Sequence, residues 1–159
     1  MAVEPTLDRI DRRILVALQA DGRLTNQALS EQVALSPSAC LARVRRLEQI
    51  GIIQGYHARI DPLRLHVGLV LYVEVTLKGH SPTEHGSFEE YIRALPQVVE
   101  ASHVTGAYDY LLKVAVGGMP EWTALADGLT SAEIGVDRLV THVMMGKPKF
   151  FVGYPVDNL

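Results

Sequence analysis

Residues 24–54 constrain the fold of this chain more than any other segment, because their pattern predicts two helices joined by a tight turn. Thr25 can cap a short first helix, on which Leu29 and Val33 form an apolar side. The two residues at 34–35 leave room only for a turn before a second helix begins. This arrangement is typical of the helix-turn-helix motif, which presents its second helix to a nucleic-acid groove.

The second helix of the motif has a recognisable start and end. Ser36 can accept hydrogen bonds from the first-turn amides, and Pro37 has a fixed φ that suits the first helical position. Gly51 provides a C-terminal stop. The apolar stripe of this helix, at i, i+4, i+7 spacing, consists of Cys40, Val44 and Leu47. One face of the second helix is therefore predicted to be buried.

The opposite face of this helix is small at its start and basic further along, at about 100° per residue. Small side chains let the backbone approach base edges, and arginines can bond guanine edges or phosphates. The predicted DNA-binding residues are Asn26, Ser36, Ser38, Ala39, Ala42, Arg43, Arg45, Arg46 and Gln49. The alternative is a solvated helix in a protein-binding three-helix domain, since runs of arginine are often plain surface.

Charge is distributed unevenly along the 159 residues, whose formal net charge is −3. Residues 1–61 carry eight basic and seven acidic side chains, a net charge of +1, whereas residues 62–159 carry seven and eleven, a net charge of −4. Within residues 36–59 four arginines stand against one acidic residue, Glu48. An acidic second part would repel DNA and leave the basic helix as the docking surface.

The composition, with 48% hydrophobic and 21% charged residues, is that of a soluble globular protein. The single cysteine, Cys40, lies on an apolar helix side, where a small buried hydrophobe is a better interpretation than a redox sensor. The longest apolar run, residues 67–73, is too short to cross a bilayer, and the N-terminus does not resemble a signal peptide. These features predict a cytoplasmic protein.

The later part of the chain changes from helical periodicity to alternation. Residues 67–77 alternate apolar with mixed side chains, which predicts a strand. Further patterns predict, in order, a helix at 88–95, strands at 98–105 and 110–116, a helix from Pro120, and a strand from Val136 to about Met145. The short link between the middle strands makes them a hairpin. The order β-α-β-β-α-β predicts a ferredoxin-like sheet with both helices on one face, and an α+β class for the chain.

These patterns divide the chain into two domains and a connector. Apolar residues between 7 and 18 predict another helix, so residues 1–51 form a helix-turn-helix, winged-helix-like domain. Residues 52–65, with a strand-like run that stops at Asp61, form the connector. Residues 66–159 form the ferredoxin-like domain.

The face of the predicted sheet opposite the two helices must be buried against another surface. Its residues Val70, Tyr72, Leu111 and Val140 are too apolar in aggregate to leave in water, which predicts sheet-to-sheet dimerisation. A two-fold dimer also fits DNA half-sites that lie one helical turn apart.

Three segments together resemble one family, namely LDRIDRRIL at 7–15, ALSEQVALSPSACLARVRRLEQIGII at 28–53 and VTGAYDYLL at 104–112. They are similar to the Lrp/AsnC (leucine-responsive, or feast/famine) transcriptional regulators. The resemblance implies operator binding by the N-terminal domain and binding of a small effector, commonly an amino acid, by the C-terminal domain. It also implies dimers that assemble into rings such as octamers, with the effector between neighbouring dimers.

The resemblance places part of the effector pocket in the hairpin, and the chemistry of a zwitterion supports this placement. Asp109 could accept the ammonium, Gly106 could let backbone amides approach the carboxylate, and Thr105 or Tyr108 could supply a hydroxyl. The last strand, with Thr141, would set selectivity from a neighbouring subunit. The alternative is that Gly106 only satisfies a turn and Asp109 only bonds its own hairpin backbone.

Other chemistry has weak support in the sequence. The six histidines lack metal-ligand spacing, and no phosphate-binding glycine loop is present, so no metal and no cofactor is expected. One rival function is a small dimeric enzyme that uses His103, Tyr108 and Asp109 as an acid-base set. Another is RNA binding by the sheet, for which only Tyr72 and Tyr110 could stack bases. Both rivals leave the arginine-bearing helix unexplained.

Overall fold

The computed structural model describes residues 6–65 and 68–156, and it divides into two compact units. The helical unit comprises the chain up to Arg59 together with the tail from Lys149, and the sheet unit runs from Ile60 to Pro148.

The described chain contains five α-helices, four strands and one short 3₁₀ helix. In chain order these elements are α1 (Arg9–Ala20), α2 (Asn26–Val33), α3 (Pro37–Gln49), a short 3₁₀ helix (Pro62–Leu65), β1 (Leu69–Leu77), α4 (Pro82–Arg93), β2 (Val98–His103), β3 (Tyr110–Val116), α5 (Met119–Ser131) and β4 (Val136–Val143). The predicted α+β class is confirmed.

Side-chain caps begin all three helices of the helical unit. Asp8 caps α1 in a capping box with Asp11, whose backbone N–H donates to Asp8 at 2.8 Å. Thr25 caps α2 and Ser36 caps α3, each by accepting from the backbone N–H three residues later. Pro37 occupies the first turn of α3, as its fixed φ predicts. The helix starts of the motif are therefore confirmed.

The turn between α2 and α3 depends on one residue in the left-handed region. Ala34 has φ 57° and ψ 47° and is the C-cap of α2. Alanine costs about 1–2 kcal/mol more than glycine in this conformation. The packing of Leu29 and Val33 of α2 with Leu47 of α3 in one core offsets this conformational cost.

The core of the helical unit is small and includes part of the tail. Its buried residues are Ile14, Leu15, Leu29, Val33, Cys40 and Leu47. Burial raises the pKa of the Cys40 thiol, which agrees with a packing role. Val156 packs against this core, and the Gln19 side chain bonds the Tyr154 backbone twice, at 3.1 Å to its carbonyl and 2.6 Å from its N–H. The tail thus lies with the helical unit, although sequence analysis grouped it with the sheet.

The connector differs from its prediction. Ile52 and Ile53 pack against the helical core after α3, which Gly51 (φ +76°) terminates. Residues 54–61 form no strand within the described chain. The strand-like alternation is present, but a strand forms only where a neighbouring strand offers ladder bonds, and the described chain provides none at 54–61.

The sheet unit has the predicted β-α-β-β-α-β order. Its four strands lie in the order β2-β3-β1-β4, and every neighbouring pair is antiparallel. In the register, Val73 of β1 faces Leu112 of β3 and Thr141 of β4. Both helices pack on one face of the sheet. The buried residues of this layer are Leu71, Val73, Val75, Leu77, Phe88, Ile92, Tyr110, Leu112, Val114, Val116, Trp122, Leu129 and Val136.

Helix α4 begins earlier than predicted. Ser81 caps it in a capping box with Glu84, and Pro82 lies in its first turn. The predicted helix at 88–95 therefore started too late, and His85 lies on a helix. The Ser-Pro start is the same signal that marks α3, but here a polar first turn hides the apolar stripe.

The open face of the sheet is mixed rather than purely apolar. Val70 is buried within the chain, whereas Tyr72, Leu111 and Val140 are half-buried. The Glu74 carboxylate lies 3.1 Å from the Nε2 atom of His142 on the neighbouring strand. Among the described residues, no helix is both long and apolar enough to span a membrane.

Candidate DNA-binding and effector sites

Helix α3 presents one line of exposed side chains. Ser38, Ala42, Arg45 and Gln49 are exposed and spaced i, i+4, i+7 and i+11, so they follow one face of the helix. The Arg45 guanidinium makes no ion pair or hydrogen bond with the described chain. We call these four residues the α3 stripe. Its small side chains near the helix start and its longer polar ones further along match the predicted outer face.

The other two arginines of α3 bind carboxylates of α1. Arg43 Nη1 lies 2.6 Å from Asp8 and 2.8 Å from Asp11, and Arg46 Nη1 lies 3.2 Å from Asp11. A hydrogen bond from the Asp11 backbone N–H and another from Arg43 hold the pKa of Asp8 below its usual value. The same carboxylates raise the pKa of Arg43.

Burial of Asp11 explains this arrangement. Its side chain is only 2% exposed, and a buried carboxylate requires cationic or hydrogen-bonding partners. Arg43 and Arg46 were expected on the flank and the outer face of α3, but their guanidinium groups point toward α1. The sequence offered no local signal for this pairing, because the partners are 32 and 35 residues apart.

Three further residues of the predicted DNA-binding set make contacts that shape the motif. Ser36 accepts from the backbone N–H of Ala39 at 3.3 Å. The Asn26 amide donates to the Pro37 carbonyl at 2.8 Å, which ties the start of α2 to the start of α3. Within the part of the chain that the structure describes, the buried Oδ1 atom of Asn26 has no hydrogen-bond partner. Ala39 is half-buried.

The β2-β3 connection forms a tight, exposed loop. The Val104 N–H donates to the Asp109 carbonyl at 2.9 Å, which closes the loop. Gly106 has φ +134°, a conformation that favours glycine, and no atom would contact a Cβ added there. Thr105 and Gly106 are exposed, and Tyr108 is half-buried. The backbone of the loop is therefore exposed at Gly106.

Asp109 is held in place by β1. Its Oδ2 accepts from the Leu77 N–H at 2.8 Å, and its own N–H donates to the Val75 carbonyl at 2.9 Å. The Oδ1 atom lies 3.3 Å from Nδ1 of His80, whose side chain is largely exposed. One carboxylate oxygen is thus fixed by backbone, and the other faces a replaceable partner. Sequence reasoning missed His80 because it lies 29 residues away with no motif around it.

Thr141 lies apart from this loop in the sheet. It is exposed on β4, an edge strand, and β1 separates β4 from the β2-β3 hairpin. The structure therefore brings Thr105, Gly106, Tyr108 and Asp109 together in one loop but does not add Thr141 to them.

A cluster of rings lies beneath α4. The Tyr110 hydroxyl donates to Glu89 at 2.8 Å and lies 2.8 Å from Nδ1 of His85, and the His103 ring stacks on Tyr110 with centroids 4.7 Å apart. Burial, followed by the Glu89 carboxylate, raises the pKa of Tyr110. Because Tyr110 is 2% exposed, it cannot stack a base, and the RNA-binding alternative keeps only Tyr72.

A groove of about 460 Å³ runs beside this cluster, between α4 and β2. Its polar lining comes from Glu89, Arg93, Glu100 and His103, and it contains none of the predicted effector residues. Among the described residues, no group of three or more His, Cys, Asp or Glu side chains could hold a metal ion.

Comparison with known proteins identifies the domain type of both units. Residues 7–54 match the model for winged helix-turn-helix DNA-binding domains, and residues 70–152 match the Lrp/AsnC ligand-binding domain. The leucine-responsive regulatory proteins of Escherichia coli K12 and Klebsiella pneumoniae are each 43% identical to the chain over 143 residues, which cover 90% of this chain and 87% of theirs.

Solved structures show the same fold over nearly the full length. A transcriptional regulator from Neisseria meningitidis, solved as a complex with L-Met, has a TM-score of 0.87 at 33% identity and is covered to 99%, against 96% of this chain. An AsnC family regulator from Agrobacterium tumefaciens has a TM-score of 0.85 at 29% identity, with the same coverage. The chain therefore belongs to the Lrp/AsnC family, and it is a DNA-binding transcriptional regulator that responds to a small effector.

Proposed function

We propose that the α3 stripe is the surface that reads DNA, with Arg45 as its main contact to a guanine edge or a phosphate. The observation that carries this assignment is that Arg45 is exposed and unpaired, whereas Arg43 and Arg46 bind Asp8 and Asp11. Small side chains at Ser38 and Ala42 let the helix approach the groove closely. Gln49 extends the same line.

The remaining residues of the predicted set position this surface. Arg43 and Arg46 hold α3 against α1, Asn26 ties the two helix starts together, and Ser36 caps α3. Arg46 Nη2 donates to the Thr6 carbonyl at 3.5 Å, and the side chain is 47% exposed, so its remaining N–H groups can add a phosphate contact at the edge of the site. Ala39 adds no polar contact.

The test is a set of single Arg→Gln variants of the full chain, measured by fluorescence anisotropy with a DNA fragment from upstream of its own gene. We expect Arg45→Gln to lower affinity about tenfold to a hundredfold and to reduce the salt slope by about one. Arg46→Gln should have a smaller effect, and Arg93→Gln, on α4 of the sheet unit, should have none. Wild-type affinity in Arg45→Gln would remove the α3 stripe from the interface.

We also propose that the effector is an amino acid whose ammonium binds Oδ1 of Asp109. The carboxylate is prepositioned by the Leu77 N–H, and the ammonium would replace His80 as its partner. The backbone around Gly106 would receive the effector carboxylate, with hydroxyls from Thr105 and Tyr108. A related regulator was solved with L-Met and the relatives are named for leucine, which supports an amino acid as ligand.

A neighbouring subunit would complete this site. Thr141 and the loop lie on different sides of β1, so a pocket that contains both must include a second chain. We propose sheet-to-sheet dimers through Tyr72, Leu111 and Val140, which assemble further into rings such as octamers.

We propose that the protein acts in the cytoplasm, where its DNA partner lies. It would act as a regulator and not as an enzyme, so it would release the effector chemically unchanged.

The effector is identified by a thermal-shift screen of the twenty amino acids, with L-Met and L-Leu as the first probes. A ligand at 100 times its Kd should stabilise the native protein by about 2.7 kcal/mol. Asp109→Asn should remove this shift, while Asp127→Asn, at an exposed position on α5, should keep it. An unchanged shift in Asp109→Asn would exclude Asp109 from the site.

A further inference from the structure

Helix α1 carries a basic face that the α3 assignment does not use. Arg9, Arg12 and Arg13 are spaced i, i+3 and i+4, so their side chains leave the helix from one side, opposite the buried Ile14 and Leu15. Together with Leu7, the three arginines line a groove of about 460 Å³. We call these three residues the α1 basic face.

The charges of the α1 basic face are not neutralised within the described chain. Arg9 and Arg12 make no ion pair or hydrogen bond there, and Arg13 donates to a carbonyl, that of Gln32, at 2.6 Å. The carboxylates on and next to this helix, Asp8 and Asp11, are engaged by arginines of α3. Three like charges within two helical turns repel one another, so an anion in the groove lowers the electrostatic energy of the folded unit.

The side-chain chemistry and the position narrow the choice of anion. All eight basic residues of residues 1–61 are arginines, whose planar fork suits bidentate contacts with phosphate. The bond from Arg13 to Gln32, which is in the last turn of α2, places the basic face next to the helix-turn-helix turn. The α1 basic face therefore lies close to the turn that precedes α3.

We propose that the α1 basic face is a second DNA contact, which binds backbone phosphates flanking the bases that the α3 stripe reads. Phosphate contacts add affinity and fix orientation without reading sequence. The two surfaces then have separable signatures. Loss of the α1 basic face weakens binding to every duplex alike, whereas loss of Arg45 at a guanine edge weakens binding to the operator more than to other DNA.

The test uses the full chain with the double substitution Arg9→Gln and Arg12→Gln, which leaves the Arg13 bond to Gln32 intact. Anisotropy titrations over a range of NaCl concentrations compare the fragment from upstream of its own gene with an unrelated duplex. We expect the salt slope to fall by about two and affinity to fall at least about tenfold for both duplexes, with their ratio unchanged. The matched control, Arg93→Gln with Arg138→Gln in the sheet unit, changes net charge equally and should leave the slope unaltered.

Three outcomes would overturn the proposal. An unchanged slope in the double variant makes the α1 basic face plain solvated surface, whatever Arg45→Gln does in the parallel experiment. A lower ratio between the two duplexes assigns the face to base reading. A thermal shift with sodium pyrophosphate that disappears in the double variant, without any change in the DNA slope, assigns the groove to a free phosphate compound.

The control for folding is circular dichroism. Equal unfolding curves of the double variant and the wild type exclude misfolding as the cause of lost binding.

Discussion

The two units of this chain are stabilised by different interactions. The sheet unit buries thirteen hydrophobic side chains in one layer between its sheet and helices, and none of the described charged residues in it is buried. The helical unit buries six, together with the carboxylate of Asp11. A small unit buries too little apolar surface to be stable from its hydrophobic core alone. In the helical unit, the ion pairs of Asp11 and the packing of Val156 from the tail add to its stability.

This difference changes how arginines in the helix-turn-helix motif should be interpreted. Arg43 and Arg46 stand in the segment that sequence alone marks as basic, yet both bind Asp11. Part of the positive charge of α3 therefore stabilises the fold. Arginines without an ion pair in the described chain remain at Arg45 on α3 and at Arg9 and Arg12 on α1.

The largest effect is expected from a cavity in the sheet unit. Phe88→Ala removes a fully buried ring that packs on Tyr110, and we expect a loss of about 4 kcal/mol in the free energy of unfolding. The single tryptophan, Trp122, lies in the same layer, so its fluorescence reports the unfolding of this unit. Val99→Ala, at a half-exposed edge position, should cost about 0.5 kcal/mol or less.

The matching change in the helical unit is Asp11→Ala. It leaves Arg43 and Arg46 without their shared carboxylate, and we expect a loss of about 3 kcal/mol in the free energy of unfolding. The amide NMR signals of α1, α2 and α3 should be lost earlier, while the Trp122 fluorescence transition stays in place. Asp127→Ala, at an exposed site on α5, is the control. A shared shift of both signals would mean that the two units unfold as one.

Local signals predicted most of the helix starts and the sheet. The Ser36-Pro37 pair marks the start of α3 because capping acts over three residues, which a sequence shows directly. The alternation at 69–77 marks β1 because one face of the strand is buried. The hairpin pattern predicted the loop at 106–109, and in the structure the loop begins two residues earlier because β2 ends at His103.

Long-range partners could not be predicted in this way. Nothing near Arg43 indicates that it pairs with Asp8, 35 residues earlier, and nothing near Tyr154 indicates that its backbone bonds Gln19, 135 residues earlier. The same holds for His80 beside Asp109. Such contacts depend on how elements pack, and periodicity carries no information about which faces meet.

A smaller effect should follow from releasing the tail. Gln19→Ala removes both hydrogen bonds to Tyr154, and since these bonds are exposed we expect a loss of about 1 kcal/mol. The change should appear as faster hydrogen exchange at the Tyr154 amide and faster chymotrypsin cleavage after Phe151. Gln54→Ala, at an exposed position of the same unit, should alter neither. Equal exchange in Gln19→Ala and wild type would mean that other contacts, such as Val156 in the core and Arg59 over the Phe150 ring, hold the tail.

The smallest expected effect is on stability at low pH. Each unit contains a carboxylate whose substitution tests this effect. The pKa of Asp8 is lowered by the Asp11 backbone N–H and by Arg43, and the pKa of Glu84 is lowered by the Ser81 hydroxyl and backbone N–H. A carboxylate whose folded pKa lies below its unfolded pKa stabilises the native state when ionised. That contribution is complete above about pH 4–5 and is lost as pH falls through the folded pKa.

Asp8→Asn and Glu84→Gln should therefore act on different signals below about pH 4. Asp8→Asn should flatten the acid slope of the helical unit, seen in the amide NMR signals of α1, α2 and α3, because the amide cannot titrate. Glu84→Gln should flatten the acid slope of the Trp122 fluorescence transition for the same reason. The effects are small since both carboxylates are exposed to solvent, and neither substitution should alter the slope of the other signal. If Asp8→Asn flattened the fluorescence slope, acid would act on one cooperative structure, and the contrast between an apolar sheet unit and an ion-paired helical unit would not describe how this protein unfolds.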